Sequence, residues 1–207
     1  LDSFSDWSST DKDQFSIAVI KGLVMDATRK ANSGHPGGPM SAIDFAYILF
    51  KDYLKFDPKN PDWFNRDRFV LSGGHMSMLQ YSLLYLIGWL NMTDIKNFRQ
   101  LHSRTPGHPE VEIPGVECTT GPLGQGFAMA TGMALAESYL RNTLKAQSDS
   151  AKDLVDHYTY ILASDGDVQE PVTLGASSLA GHLGLKRLIV FYDANDAQIS
   201  GNTARSD

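Results

Sequence analysis

Asp165 and Asn195 are the residues whose types and spacing first suggest chemistry. Each follows an apolar run, "YTYILA" (158–163) and "RLIVFYDA" (187–194), and they stand 30 positions apart, a length that suits one strand–helix–strand unit. A Mg²⁺ or Ca²⁺ ion wants hard oxygen donors, and magnesium wants six in near-octahedral arrangement. The Asp165 carboxylate, the Asn195 amide oxygen and the Ala197 carbonyl, two residues further on, offer three and leave room for phosphate oxygens and water. Gly166 permits a tight turn or close approach of a ligand. The same letters also read as plain turns, because Asp-Gly and Asn-Asp pairs often leave strands.

A second stretch, "TTGPLGQG" (119–126), runs through glycines into a helix. Free amides and the positive dipole end at such a start can hold a phosphate without any lysine. Glycine loops before helices are also common as simple turns. Three of the six histidines lie in Gly- or Pro-rich loops: His35 in "SGHPGGP", His75 in "SGGHMS" and His108 in "TPGHPE". Imidazoles beside a pocket donate to oxyanions or shuttle protons near neutral pH, whereas a lone turn histidine is more often a structural hydrogen-bonder. His102 at a helix end, His157 before a strand and His182 within a helix read as structural or solvent-exposed.

The elements that must position these residues follow from hydrophobic spacing. Thr10 and Asp11 can cap a helix through "KDQFSIAVIKGLVMDATRKA", which "NSGHPGGPMS" (32–41) then breaks. "AIDFAYILF", residues 77–89, "FAMATGMALAESYLRNTL" and 172–184 read as further helices. "RFVLS" (68–72) and the two apolar runs read as strands. Strand, helix, strand in that order implies a right-handed crossover and a parallel sheet, with both long strands buried on both faces. The expected class is therefore α/β, with no internal repeat and no linker, in one domain. In such a sheet, ligands gather at the carboxyl ends of the strands, where both acidic turns fall.

Composition excludes other classes. The 207 residues are 42% hydrophobic and 20% charged, an ordinary globular profile. A net charge of −6 without a basic run disfavours a nucleic-acid partner. The lone Cys118 can form no internal disulfide and suits a reducing compartment. No apolar stretch reaches the roughly 18–20 residues that span a bilayer, and no basic leader precedes an apolar segment. The expectation is a soluble, cytoplasmic protein without a membrane partner.

Taken together and in this order, "SGHPGGPMS", "DRFVLSGGHMSMLQYSLLYL", "FRQLHSRTPGHPE", "GVECTTGPLGQG" and "LIVFYDAN" resemble the amino-terminal, diphosphate-binding domain of the transketolase family. The resemblance covers most of the chain. It implies a thiamine-diphosphate-binding fold, a parallel sheet with helices on both faces. It also implies transfer of a two-carbon ketol unit from a ketose phosphate to an aldose phosphate, as in the pentose phosphate pathway. By the same resemblance Asp165, Asn195 and the Ala197 carbonyl are metal ligands, and Gly166 touches the cofactor diphosphate. His75 and the backbone around Gly121 and Leu123 contact the cofactor. His35 and His108 line the substrate channel and assist proton transfers, and Glu170 lies at a dimer interface. Asp167 matches no family ligand and reads as solvated.

This sequence departs from the family pattern in places. Ser164 replaces the first glycine of the acidic turn, Pro171 follows Glu170, Gly175 stands where a second glutamate is expected, and Met76 where a small residue is. The pyrimidine-binding and C-terminal domains that complete a transketolase site have no counterpart, so the resemblance implies a fragment or one subunit of a split enzyme, inactive alone. A dihydroxyacetone synthase-like ketol transferase and a non-catalytic cofactor-binding or dimerisation module remain as alternatives.

Overall fold

Ser8, rather than Thr10 or Asp11, opens the first long helix: its hydroxyl oxygen accepts the Asp11 amide N–H at 3.1 Å. This computed structural model describes residues 3–151, 153–198 and 201–205. Ile199 and Ser200, the end of the predicted "DANDAQIS" turn, lie outside the described residues. The chain divides into two compact units interleaved in sequence, Leu1–Tyr53 with Met76–Gly107, and Leu54–His75 with His108–Asp207.

The first unit is helical. Helix α1 (Ser9–Ala31) stops where Asn32 takes a left-handed conformation. The predicted break after it is shorter than expected, because α2 (Gly37–Ile48) already begins inside "GGPM". Gly37, Gly38 and Pro39 occupy its first turn, where amide donors have no intrahelical partner and proline is tolerated. Helices α3 (Ser77–Leu86) and α4 (Met92–Lys96) follow, the latter held by a capping box between Asn91 and Asp94. Helices α1, α2 and α3 pack on one another, and their faces bury Ile20, Val24, Ile43, Leu79 and Leu84. Met76, fully buried, packs its sulfur against Gly38, so a large side chain is accommodated there. His102 lies in a turn beyond α4 with φ +61°, not at a helix end.

The second unit is the α/β part. Strands β1 (Arg68–Leu71), β2 (Thr159–Ser164) and β3 (Leu188–Asp193) form a parallel sheet in the order β1-β2-β3. Helix α5 (Gln125–Gln147) packs on this sheet and α7 (Pro171–Leu183) packs on α5. A single-turn helix α6 (Asp165–Val168) leaves β2 directly, and a small antiparallel pair, β4 (Ala197–Gln198) and β5 (Gly201–Asn202), follows β3. Val70, Ile161 and Ala163 of the sheet bury against Phe127 and Ala130 of α5 and against Cys118. Burial, with the nearby Glu117 charge, pushes the Cys118 thiol up to about 11, so it stays protonated and unreactive.

The strands differ in burial. Central β2 is enclosed as expected, whereas β3, expected to be buried on both faces, exposes Val190 and Tyr192 by 41% and 53%. Strand β2 is paired on both sides; β3 is the edge of the described sheet. Among the described residues no helix is long and apolar enough to cross a membrane.

Candidate functional site

Parallel pairing of Ser164 with Asp193 makes β2 and β3 end level, so the residues leaving them emerge side by side. Asp165, the first residue of α6, is almost wholly buried. Its Oδ2 accepts the Asn195 amide N–H at 2.7 Å and its Oδ1 accepts the Tyr192 hydroxyl. Burial pushes the Asp165 carboxyl up, but Tyr192 and the amides of Asn195, Asp196 and Ala197 outweigh it and hold the group below the usual carboxylate range. Asp165 is therefore ionised at neutral pH. Asn195 Oδ1 accepts the Ala197 N–H at 3.0 Å and retains a second lone pair, while its Nδ2 donates to Asp193 at 3.1 Å. Ser164 has φ −110° and ψ 171°, extended backbone open to any residue, so the missing family glycine costs nothing here.

The glycine loop closes over the same strand ends. A Cβ on Gly166 would lie 3.3 Å from Leu123 Cδ1 and 3.8 Å from Gln198 Cβ, which places the acidic turn against both neighbouring loops. The His108 ring lies over Gly121, where a Cβ would sit 3.2 Å from its Cγ. Gly74 abuts the Thr120–Gly121 backbone, bringing the short turn Gly74–Met76 and half-buried His75 to that loop. The Ser72 hydroxyl oxygen accepts the Phe127 N–H at 2.8 Å and fixes the first turn of α5. Within this unit the fold thus gathers His75, His108, Gly121, Leu123, Asp165, Gly166, Asn195 and Ala197 around the ends of β2 and β3.

His35 belongs to the other unit, just before α2, where partial burial and the Arg99 charge both lower its basicity. Glu170 is the N-cap residue of α7, and Pro171 takes the first helical position, which suits a proline. Gly175 on α7 has open space beside it. His182 is exposed on α7. His157 is buried at the opposite end of β2, where desolvation first and the Arg68 and Arg66 charges next hold it down to about 4.

Two residues of this region escaped the sequence reading. Tyr192 was visible only as a strand residue. Asp167, expected to be solvated, is fully buried: its Oδ1 accepts the Gly124 amide N–H, and its Oδ2 has no hydrogen-bond partner. Burial pushes its carboxyl up, with the Ser72 hydroxyl and Gly124 amide pulling the other way.

Comparison with known proteins decides the family. The thiamine diphosphate binding domain of transketolase matches residues 12–207. This chain belongs to the transketolase family, in that domain. It is 54% identical over 197 residues to the transketolase of Staphylococcus epidermidis and 54% identical over 193 residues to that of Bacillus subtilis. These matches cover 95% and 92% of this chain but 29% and 28% of the relatives. Among solved structures, transketolase from Leishmania mexicana superposes with a TM-score of 0.89 at 47% identity, covering 94% of this chain and 29% of that one. Transketolase from Campylobacter jejuni gives 0.88 at 47% identity, covering 94% and 30%. The chain thus spans under a third of the length of these transketolases.

The donor set is compatible with the family's cofactor. Among the described residues no three His, Cys, Asp or Glu side chains converge into a metal cage. An ion here would rely on one ionised carboxylate with amide and carbonyl oxygens, hard donors that leave positions for phosphate. The glycine loop meets this donor set at the N-terminus of a 23-residue helix.

Proposed function

We propose that the protein containing this chain transfers a two-carbon ketol unit from a ketose phosphate to an aldose phosphate, and that this domain holds the diphosphate end of its cofactor. The observation that carries the reading is the Asp165–Asn195 contact at 2.7 Å at the level ends of β2 and β3, beside the glycine loop, in a chain of this family. Asp165, Asn195 and the Ala197 carbonyl hold Mg²⁺, or Ca²⁺ in its place. Gly166, His75 and the backbone of Gly121 and Leu123 hold the diphosphate. Bound thiamine diphosphate supplies a carbon nucleophile and an electron sink for breaking and making the C–C bond.

The chain's own residues bind, orient and move protons. His108, lying over Gly121, exchanges a proton with a substrate oxygen. His35, a largely neutral imidazole of the other unit, is assigned a substrate-handling role by the family resemblance alone. Glu170, on the turn that enters α7, faces a second subunit in a homodimer or a partner carrying the pyrimidine-binding domain. The reaction runs in the cytoplasm, in keeping with a buried, unoxidised Cys118.

Calorimetry on the complete protein tests the reading. Thiamine diphosphate should bind with Mg²⁺ and fail to bind after chelation. Asp165→Ala should weaken binding by about a hundredfold or more, since removing one partner of a buried charged contact costs several kcal/mol. Metal-independent binding, or unchanged affinity in Asp165→Ala, sinks the assigned ligand. Turnover with ribose 5-phosphate as acceptor, set against formaldehyde, then separates the proposed acceptor class from a dihydroxyacetone synthase-like one.

A further inference from the structure

The ligand set above leaves Asp167 without a task, yet its carboxyl is more fully enclosed than that of Asp165. Its Oδ1 accepts the Gly124 N–H from 43 positions earlier in the chain. Its own carbonyl accepts the Thr173 hydroxyl at 2.7 Å. The second carboxyl oxygen has no hydrogen-bond partner, and none of the described ion pairs brings a lysine or arginine to it. Burying a carboxyl this way is costly, and an apolar residue of similar volume would fill the space at less cost. Such a residue could not hold an amide.

The amide it holds sits at a critical point. Gly124 is the N-cap of α5, with φ +83°, a conformation that disfavours any side chain. A Cβ there would stand 2.6 Å from Val172 Cγ1, 2.8 Å from Glu170 Cβ and 2.9 Å from Thr173 Oγ1. The glycine turn is therefore seated directly on the start of α7, with Asp167 beneath it as the polar attachment. Amides at the start of a helix are ordinarily left to solvent or to a cap; here a carboxylate from another element takes one.

We propose that Asp167 is a positioning residue that fastens the glycine turn before α5 to the acidic turn after β2. With the attachment made, the backbone at Gly121 and Leu123 and the carboxylate of Asp165 face one diphosphate–metal unit at fixed spacing. The proposal rests on the cofactor reading given above. It separates the two aspartates of the "SDGD" turn: Asp165 binds, Asp167 holds the opposite jaw in place.

The test uses the complete protein with Asp167→Ala and Asp167→Asn, the latter keeping a carbonyl oxygen for the Gly124 N–H. In cofactor-free protein, hydrogen exchange across 121–126 should quicken at least about tenfold in Asp167→Ala and stay within about threefold in Asp167→Asn. The dissociation constant for thiamine diphosphate at saturating Mg²⁺ should rise about tenfold to a hundredfold in the first variant and under about threefold in the second. Wild-type exchange and affinity in a folded Asp167→Ala overturn the proposal. So does an equal loss in both variants with exchange raised throughout the sheet, which marks a plain core residue. If Asp167→Ala does not fold, the unaltered protein supplies the measurement: its Gly124 amide should exchange as slowly as those of β2, and fast exchange overturns the attachment. A protein that binds no thiamine diphosphate fails the functional reading instead, while the exchange contrast still judges Asp167.

Discussion

Strand β2 carries buried acid at both ends, and the two ends neutralise it by different means. At its amino end Glu117 is matched by Arg66 at 2.8 Å and Arg68 at 3.5 Å, and Asp67 takes the backbone N–H groups of Lys55 and Tyr158. Asn65 bridges Asp156 and His157, and Arg187 donates to the Asp156 carbonyl. Charges of both signs meet there, and the network closes on itself. At the carboxyl end Asp165, Asp167 and Asp193 receive only neutral donors: a tyrosine hydroxyl, backbone amides and an asparagine amide. Among the described residues no lysine or arginine pairs with any of them. One end is neutralised by basic side chains of the protein; the other, held by neutral donors alone, is where the proposed cation would sit. Similar burial of like groups is thus closed by ion pairs at one end and left to neutral donors at the other, the end the proposed function uses.

Breaking the closed end should have the largest effect on stability. Glu117→Ala strands two largely buried guanidinium groups and should cost about 3–5 kcal/mol in denaturant unfolding. Cofactor affinity of the molecules that remain folded should not change; a matching loss of affinity would mean the two ends are not independent. Next comes the pH dependence of His157. Its folded value of about 4 lies below the ordinary 6.5, so the unfolded chain binds the proton more readily. Its contribution is present above pH 6.5 and is lost as pH falls from 6.5 to about 4, ~3 kcal/mol in all. His157→Gln should flatten that part of the unfolding profile; an unchanged slope would remove His157 from the account. The smallest effect belongs to the open end. Tyr192→Phe removes one donor from Asp165 and should weaken metal-dependent cofactor binding by under about tenfold, with little change in melting temperature. A loss as large as that of Asp165→Ala would make the hydroxyl itself a ligand-side group.

The legible parts of this fold were those set by local letters. Two apolar runs announced β2 and β3, and the helix between them ended at Gly184 as its sequence suggested. What stayed hidden depended on partners far along the chain. "SDGD" reads as a solvated turn because nothing within ten residues says that the Gly124 turn will fold onto Asp167. The start of α2 stays hidden for the opposite reason: glycine and proline read as breakers, yet a first helical turn tolerates both. Exposure of β3 is invisible to pattern as well, since the same apolar run serves a central strand or an edge. Spacing alone singles out Asp165 and Asn195, whereas a metal–diphosphate ligand for them is suggested only by the resemblance of whole loops.

Cys118 offers a use that has nothing to do with catalysis. It is this chain's one thiol, it sits in the core between sheet and α5, and its high pKa leaves little reactive thiolate at neutral pH. A thiol reagent meets little of it until that core parts. Its labelling rate is thus a built-in clock for how often the domain breathes open, readable by mass spectrometry without any engineered probe.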